Sequence, residues 1–348
     1  MPPGEVRTYP LPVTVPDAPG EYAVDVAFRL REATPWAAAG HLVASEQAVF
    51  GGSRPARPAV AAAPELVNGI HNVGVHGPDF EVLFSRLYGG PVSYRHGGRE
   101  LLQGVPVPNF WHAPTSNERG WGAPFEDAQW LPASRYAKAR PDGPAVAVRD
   151  GAVEVRYTYD LPTVPASECD VTYRVAGDGH IDVTVALRPG DGLGDPPEFG
   201  MLFTADADLH RLRWYGEGPH ESAVDRRRSA RVGVWSGEVA DQLTPYVRPQ
   251  EAGGHTGVRW AEVCDDSGAG LRFDSPDGME FSALPWTPFE IENALHPHEL
   301  PPIHRTVLRP VWKRRGVGGD DAWGARTHPE YLLPTGELEF RFGFRGVG

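Results

Sequence analysis

Apolar residues recur at every second position through a series of short segments. In "GEYAVDVAFRL" the side chains of Tyr22, Val24, Val26 and Phe28 share one face, and the same period runs through "GAVEVRYTYD", "CDVTYRV", "HIDVTVALRP", "HRLRWYGEG", "GVRWAEVCD", "AGLRFDS" and "LEFRFGF". A period of two puts alternate side chains on opposite faces of an extended chain, so each segment predicts a β-strand. Gly, Pro or Asp ends nearly every one, as turns between strands require. Helical texture is confined to "PFEDAQWLPASRYAKA" and "PFEIENALH", both short. The pattern predicts an all-β protein of long antiparallel strands and elaborate loops, and at this size a large sandwich.

Length refines that picture. At one domain per roughly 100–200 residues, a chain of 348 holds two domains or one large β domain with an appendage. The Pro/Ala-rich stretch "FGGSRPARPAVAAAPEL" breaks the alternation. We therefore expect a small β piece over 1–52, a linker over 53–67 and the main domain over 68–348. Three expected strands in the first piece barely cover one apolar face, which leaves an edge for another polypeptide or a second copy.

Composition narrows the function classes. Lys and Arg number 33 against 46 Asp and Glu, a net charge of −13 that opposes a phosphate-backbone binder, so no nucleic acid partner is expected. There is no run of 18 apolar residues and no basic-then-apolar opening, so we expect no membrane association and a cytoplasmic location. Cys169 and Cys264 lie in separate strand-like stretches and read as reduced structural thiols. None of the 13 histidines has an i, i+4 partner. No metal site is expected, and His296 and His298 in "HPH" read as loop buttresses. The basic run "DRRRSAR", Asp225 to Arg231, reads as a salt-bridged surface loop.

Five ordered stretches are too rich in rare residues to be only strand and turn: "PNFWHAPTSNERGWG", "WYGEGPHESAVDRRRSARVGVW", "TPYVRPQEAGGHTGVRW", "HPHELPP" and "GVGGDDAWGARTHPEY". In this order they resemble the C-terminal third of the large β-galactosidases of glycoside hydrolase family two. The stretch "EATPWAAAGHLVASEQ" resembles the end of the immunoglobulin-like domain that precedes it in those enzymes. The resemblance implies a galactose-mutarotase-like β-supersandwich after a partial immunoglobulin-like β-sandwich. It also implies that the acid/base and nucleophilic glutamates, with the magnesium and sodium ligands, belong to a (β/α)₈ barrel upstream. No 250-residue alternation of strand and helix occurs here, so no catalytic residue and no cofactor is expected in this chain, and magnesium and sodium are expected only in a partner barrel. Retaining hydrolysis needs two carboxyls about 5–5.5 Å apart. The tempting pairs, Glu217 with Glu221 and Asp320 with Asp321, lie in turn-rich contexts where acids shape loops.

What the resemblance gives this region is one aromatic platform, Trp323, in the loop matching "GGDDAWG". An indole face suits the C–H face of a pyranose. Gly318 and Gly319, with Asp320 and Asp321 as acceptors, are expected to shape a flexible arm through left-handed turns and close backbone approach. The loop "APTSNERGWG" resembles a family segment Arg-Ala-Pro-x-Asp-Asn-Asp-x-Gly at the active-site mouth. Asn117 and Gly120 match it, Trp121 follows, and His112, Ser116 and Glu118 replace the arginine and two aspartates. Asn117, Gly120 and Trp121 join Trp323 as candidate substrate-binding residues. The expected role is that of a non-catalytic C-terminal part or small subunit of a β-galactosidase, partnering a barrel-bearing chain or an oligomer and touching carbohydrate. A freestanding carbohydrate-binding sandwich using Trp111, Trp121 and Trp323 is the alternative. An aldose 1-epimerase-like enzyme with a His/Glu acid-base pair is the third, on fold analogy alone, since no epimerase motif is evident around His220 or His255.

Overall fold

The structure, a computed structural model, describes residues 4–14, 16–52, 62–321 and 323–348. The chain divides into two compact units, Met1–Pro58 and Ala59–Gly348.

In the first unit, strand Glu21–Arg29 pairs antiparallel with Leu42–Gly51. The described residues there contain these two strands rather than the three expected. The alternation places Tyr22, Val24 and Val26 on the half-buried face, while Phe28 and Trp36 stay exposed. A lone hairpin has no second layer to cover that face.

In the second unit a five-stranded meander opens with Glu65–Asn68 and continues through Asn72–His76, Phe80–Ser85, Gly90–His96 and Arg99–Glu100. The expected linker therefore ends early: Glu65, Leu66 and Val67 pair with His76, Val75 and Gly74. Residues 53–61 of that linker lie outside the described residues. The remaining strands form a 13-stranded antiparallel sheet. Its central path runs Ile181–Arg188, Leu338–Val347, Gly270–Leu284, His255–Cys264, Arg211–Gly218 and Arg231–Glu238.

The alternation explains which face is buried. In Ile181–Arg188 the side chains of Ile181, Val183, Val185 and Leu187 are buried and the residues between them are not. Phe203, Phe273, Phe342 and Phe344 form the aromatic centre, with Phe203 and Phe273 edge to face at 5.2 Å. Burying each such ring contributes about 1.5–3 kcal/mol. Cys169 is buried, Cys264 is half-buried and both are free. Among the described residues four short helices interrupt the strands: α1 (Ser116–Trp121), α2 (Ala123–Glu126), α3 (Trp130–Arg135) and α4 (Pro288–Asn293). The first of these was expected to be loop.

Candidate functional site

Helix α1 begins in a capping box. The Thr115 hydroxyl accepts from the Glu118 N–H at 3.2 Å, and the Glu118 carboxylate accepts from the Thr115 N–H at 2.8 Å. Two orphan donors of the first turn are satisfied, and "TSNE" is the sequence that does it. The same arrangement at Thr287 and Glu290 starts α4.

Glu118 also receives His112 Nε2, 2.9 Å from both carboxylate oxygens, and both side chains are buried. Burial works against the charged imidazolium, but the Glu118 carboxylate outweighs it and raises the His112 pKa. Burial likewise opposes the Glu118 anion, yet His112, the Thr115 N–H and Arg315 hold its pKa below the ordinary value. The His–Glu substitution thus forms a closed ion pair beneath α1. Beyond it, Arg315 binds Asp127 at 2.6 Å and Asp195 at 3.1 Å. Arg314, one residue earlier, binds Glu198 at 2.6 Å and Glu251 at 3.3 Å, and the buried Arg309 joins the same two glutamates.

The arm rises from Arg315 on this base. Asp225 accepts from the N–H groups of Val317 and Gly318 at 3.1 and 2.9 Å, and the Thr327 hydroxyl donates to the Gly316 carbonyl at 3.1 Å. At the tip, one Asp321 oxygen accepts from the N–H groups of Trp323, Gly324 and Ala325 at 2.8, 3.1 and 3.2 Å. These bonds depress its pKa. Asp320 holds His328 at 2.8 Å. Both acids and Asp225 hydrogen-bond within the arm that was expected to be flexible. The expected left-handed glycines are corrected, since none of Gly316, Gly318, Gly319 or Gly324 has a positive φ. The expected close backbone approach is seen at Gly319, where a Cβ would collide with the Ala325 carbonyl.

Helix α1 supports the arm from below. Gly120 lies against the Trp323 backbone, Asn117 Nδ2 donates to the Asp321 carbonyl at 3.5 Å, and Arg326 grips Glu126 of α2. Trp121 is half-buried under the guanidinium groups of Arg326 and Arg315, at 4.7 and 5.4 Å. Its ring is a seat for the arm. Trp323 itself is 85% exposed.

The remaining expected chemistry resolves into structure. Glu217 is buried against Arg227 and Thr256. Glu221 binds Arg226 at 2.6 Å, Tyr246 Oη at 2.7 Å and the Gly253 N–H at 2.8 Å. One oxygen of Asp320 meets His328, and one oxygen of Asp321 accepts from the loop backbone. Glu299 accepts from the Leu295 N–H at 2.8 Å and meets His296 Nδ1 at 3.0 Å, which closes the "HPHE" turn, while the His296 and His298 rings stack. His255 is buried, stacked on Trp214 at 3.9 Å, and burial lowers its pKa to about 4. It is neutral near pH 7 and enclosed between Trp214 and Gln242, while His220 is exposed. Trp111 is buried with its Nε1 on Glu292 at 2.7 Å, which removes it from any sugar-binding face. Asp225 and Arg326 were missed by sequence reasoning, because nothing local marks an acid in a basic run as the anchor of a loop some 90 residues away.

The antiparallel β domain thus carries an exposed indole, Trp323, on a loop hydrogen-bonded to its own scaffold. The family described as "Beta galactosidase small chain" matches residues 76–345, and "Beta-galactosidase, domain 4" matches 1–51. The chain belongs to the β-galactosidase small-chain family. A β-galactosidase of Halalkalibacterium halodurans is 38% identical over 335 residues, covering 94% of this chain and 33% of that protein. The Streptococcus thermophilus β-galactosidase is 37% identical over 336 residues, covering 96% and 32%. This chain therefore spans about a third of those relatives. The "Beta-galactosidase small subunit" of Latilactobacillus sakei is 33% identical over 308 residues, covering 80% of this chain and 96% of that one. Among solved structures, a putative aldose 1-epimerase from Escherichia coli K12 overlaps with a TM-score of 0.45 at 10% identity, covering 80% of this chain and 99% of that one.

Proposed function

We propose that this chain is the small-chain part of a β-galactosidase and completes the active site of a barrel-bearing polypeptide that hydrolyses terminal β-D-galactosides. The observation that carries the reading is Trp323, 85% exposed at the tip of an arm whose backbone is hydrogen-bonded on both sides. An exposed indole on an ordered loop offers a sugar a broad apolar face without a large ordering cost on binding. Bond cleavage falls to two carboxyls of the barrel, as do any magnesium and sodium. Trp323 adds binding that improves as the ring flattens toward its oxocarbenium-like transition state. Two free cysteines suit a reducing compartment, and we place the enzyme in the cytoplasm.

The test is hydrolysis of a chromogenic β-galactoside by this chain, by the barrel-bearing polypeptide and by both together. Activity should need both. Trp323→Ala should lower kcat/KM of the assembled enzyme about tenfold or more while assembly persists. Hydrolysis by this chain alone overturns the proposal.

A further inference from the structure

Three segments meet around Trp323. Ser116 of α1 donates through its N–H and its hydroxyl to Gln250 Oε1, at 2.7 and 2.9 Å, which fastens the loop 244–250 to the helix. Gly120 and Asn117 fasten α1 to the arm, and the Glu126–Arg326 pair fastens α2 to it. These linked segments carry strongly exposed apolar side chains, Trp323 at 85% on the arm, Phe125 at 88% on α2 and Val247 at 87% on the loop.

The same segments carry two arginines that form no salt bridge among the described residues. Arg119 lies on α1, and Arg248 follows Val247. Both Nη atoms of Arg119 are shielded from solvent and have no hydrogen-bond partner. Burial depresses the Arg119 pKa, and the positive charge of Arg248 depresses it further. Glu292 and Glu118 oppose this only in part, and each has another partner, Glu118 in His112 and Glu292 in the Trp111 indole. The contrast with the neighbourhood is sharp: Arg226, Arg227, Arg309, Arg314, Arg315 and Arg326 each hold a carboxylate. In a chain with 46 acids and 33 bases, acids are not scarce. Two neighbouring guanidinium groups, one of them desolvated, are unfavourable in the isolated chain and become favourable when a carboxylate is brought to them.

We infer that an aspartate or glutamate of the barrel-bearing polypeptide docks against the exposed guanidinium of Arg248 and offsets the positive charge of Arg119 behind it. Phe125 and Val247 add apolar contact from the same linked segments, and Trp323 remains free for the sugar. Exposed aromatic and arginine anchors are the residues that dominate protein interfaces, and the charge pattern fits an acidic partner. The inference rests on the reading of this chain as the small-chain part of the enzyme.

The experiment titrates the separately expressed barrel-bearing polypeptide with the wild-type chain and with the Arg119→Gln/Arg248→Gln and Arg119→Lys/Arg248→Lys double variants, at low and high NaCl. The glutamine variant should bind about tenfold or more weakly at low salt and show a flatter salt dependence, with the lysine variant in between. Its thermal midpoint as an isolated chain should stay level or rise, because a like-charge contact is removed. Equal affinity and an equal salt slope overturn the inference, and so does a fall in the midpoint of many degrees, which marks Arg119 as structural. Unchanged association combined with a higher KM for a galactoside bearing a carboxylated aglycone, but not for a neutral one, also overturns it, assigning the charge to substrate. If the wild-type chain neither binds nor restores hydrolysis, the proposed function fails and this inference with it. Normal wild-type binding with an unaffected glutamine variant sinks the inference alone.

Discussion

A Cβ placed on Gly120 would stand 2.8 Å from the Trp323 carbonyl oxygen and 3.0 Å from its carbonyl carbon. The helix and the arm touch backbone to backbone, so the position of the indole is set by what α1 leaves out. Gly120→Ala must push the arm outward by some tenths of an ångström. The substituted residue is exposed, so the fold should lose little, with a midpoint within a few degrees of wild type. Small misplacements of a positioning group are costly to rate. We expect hydrolysis by the assembled enzyme to fall about tenfold, and a larger fall for Gly120→Val, measured beside the melting curves.

Asp321 organises the tip by accepting three successive N–H groups. Asp321→Ala removes all three acceptors, and Asp321→Asn keeps the shape but weakens each bond by removing its charge. Amide exchange should show it: protection of residues 323–325 should vanish in the alanine variant and fall partway in the asparagine variant. Exchange in the strand Leu338–Val347 should stay unchanged. Equal protection in all three proteins would return Asp321 to an ordinary solvated acid.

The buried His112–Glu118 pair sets a pH window for stability. The folded His112 pKa is raised, so its contribution is full below the ordinary value of 6.5 and is lost as pH rises through the higher folded value. The folded Glu118 pKa is lowered, so its contribution is full above 4.5 and is lost as pH falls through the lower folded value. Both are complete between about pH 4.5 and 6.5, with Glu251 and Glu198 adding to the stabilisation of His112 and Arg315 to that of Glu118. Urea unfolding should show His112→Ala less stable by about 3–5 kcal/mol near pH 6, since it strands a buried carboxylate. That deficit should shrink toward alkaline pH, where wild-type His112 loses its charge. A deficit independent of pH would mean that packing alone is lost.

How far the sequence foretold these features depends on whether the signal is local. The strand Ile181–Arg188 was legible because one face is buried and the other is not. Strands Glu198–Ala205 and Thr306–Arg314 were not, because nearly every residue in each is buried and no alternation remains. Helix α1 could have been found from the Thr115–Glu118 capping box, but its Gly, Asn and Ser content reads as loop. Trp323 stood out through its acidic, glycine-rich surroundings. The residues that hold it did not, since Asn117 meets the Asp321 carbonyl 204 positions away and no local pattern encodes such a contact. The alternative that grouped Trp111 with Trp323 met the same limit: both sit in unusual loops, and only tertiary burial separates a core ring from a projecting one.

Glu280 gives the most discriminating test of the base beneath the arm. Three buried carboxylates, Glu198, Glu251 and Glu280, face two buried guanidinium groups, Arg309 and Arg314. One negative charge is in excess, and the weakest pairing belongs to Glu280, 3.9 Å from Arg314 Nη1 against 2.6 Å for Glu198. Burial pushes the Glu280 pKa up to about 7, with the other two carboxylates adding to the rise and Arg314 opposing it. For an acid whose folded pKa is raised, the stabilisation is full below the ordinary value of 4.5 and is lost as pH climbs through about 7. Glu280→Gln imitates the protonated form at every pH and keeps an oxygen for the Arg314 N–H, which Glu280 accepts at 3.2 Å. The variant should match wild type near pH 5 and exceed it near pH 8, by on the order of 3 kcal/mol at most, in urea unfolding at both values. If Glu280→Gln is instead weaker at pH 8 than at pH 5, Glu280 is an ionised partner of Arg314 and the charge excess lies elsewhere in the network.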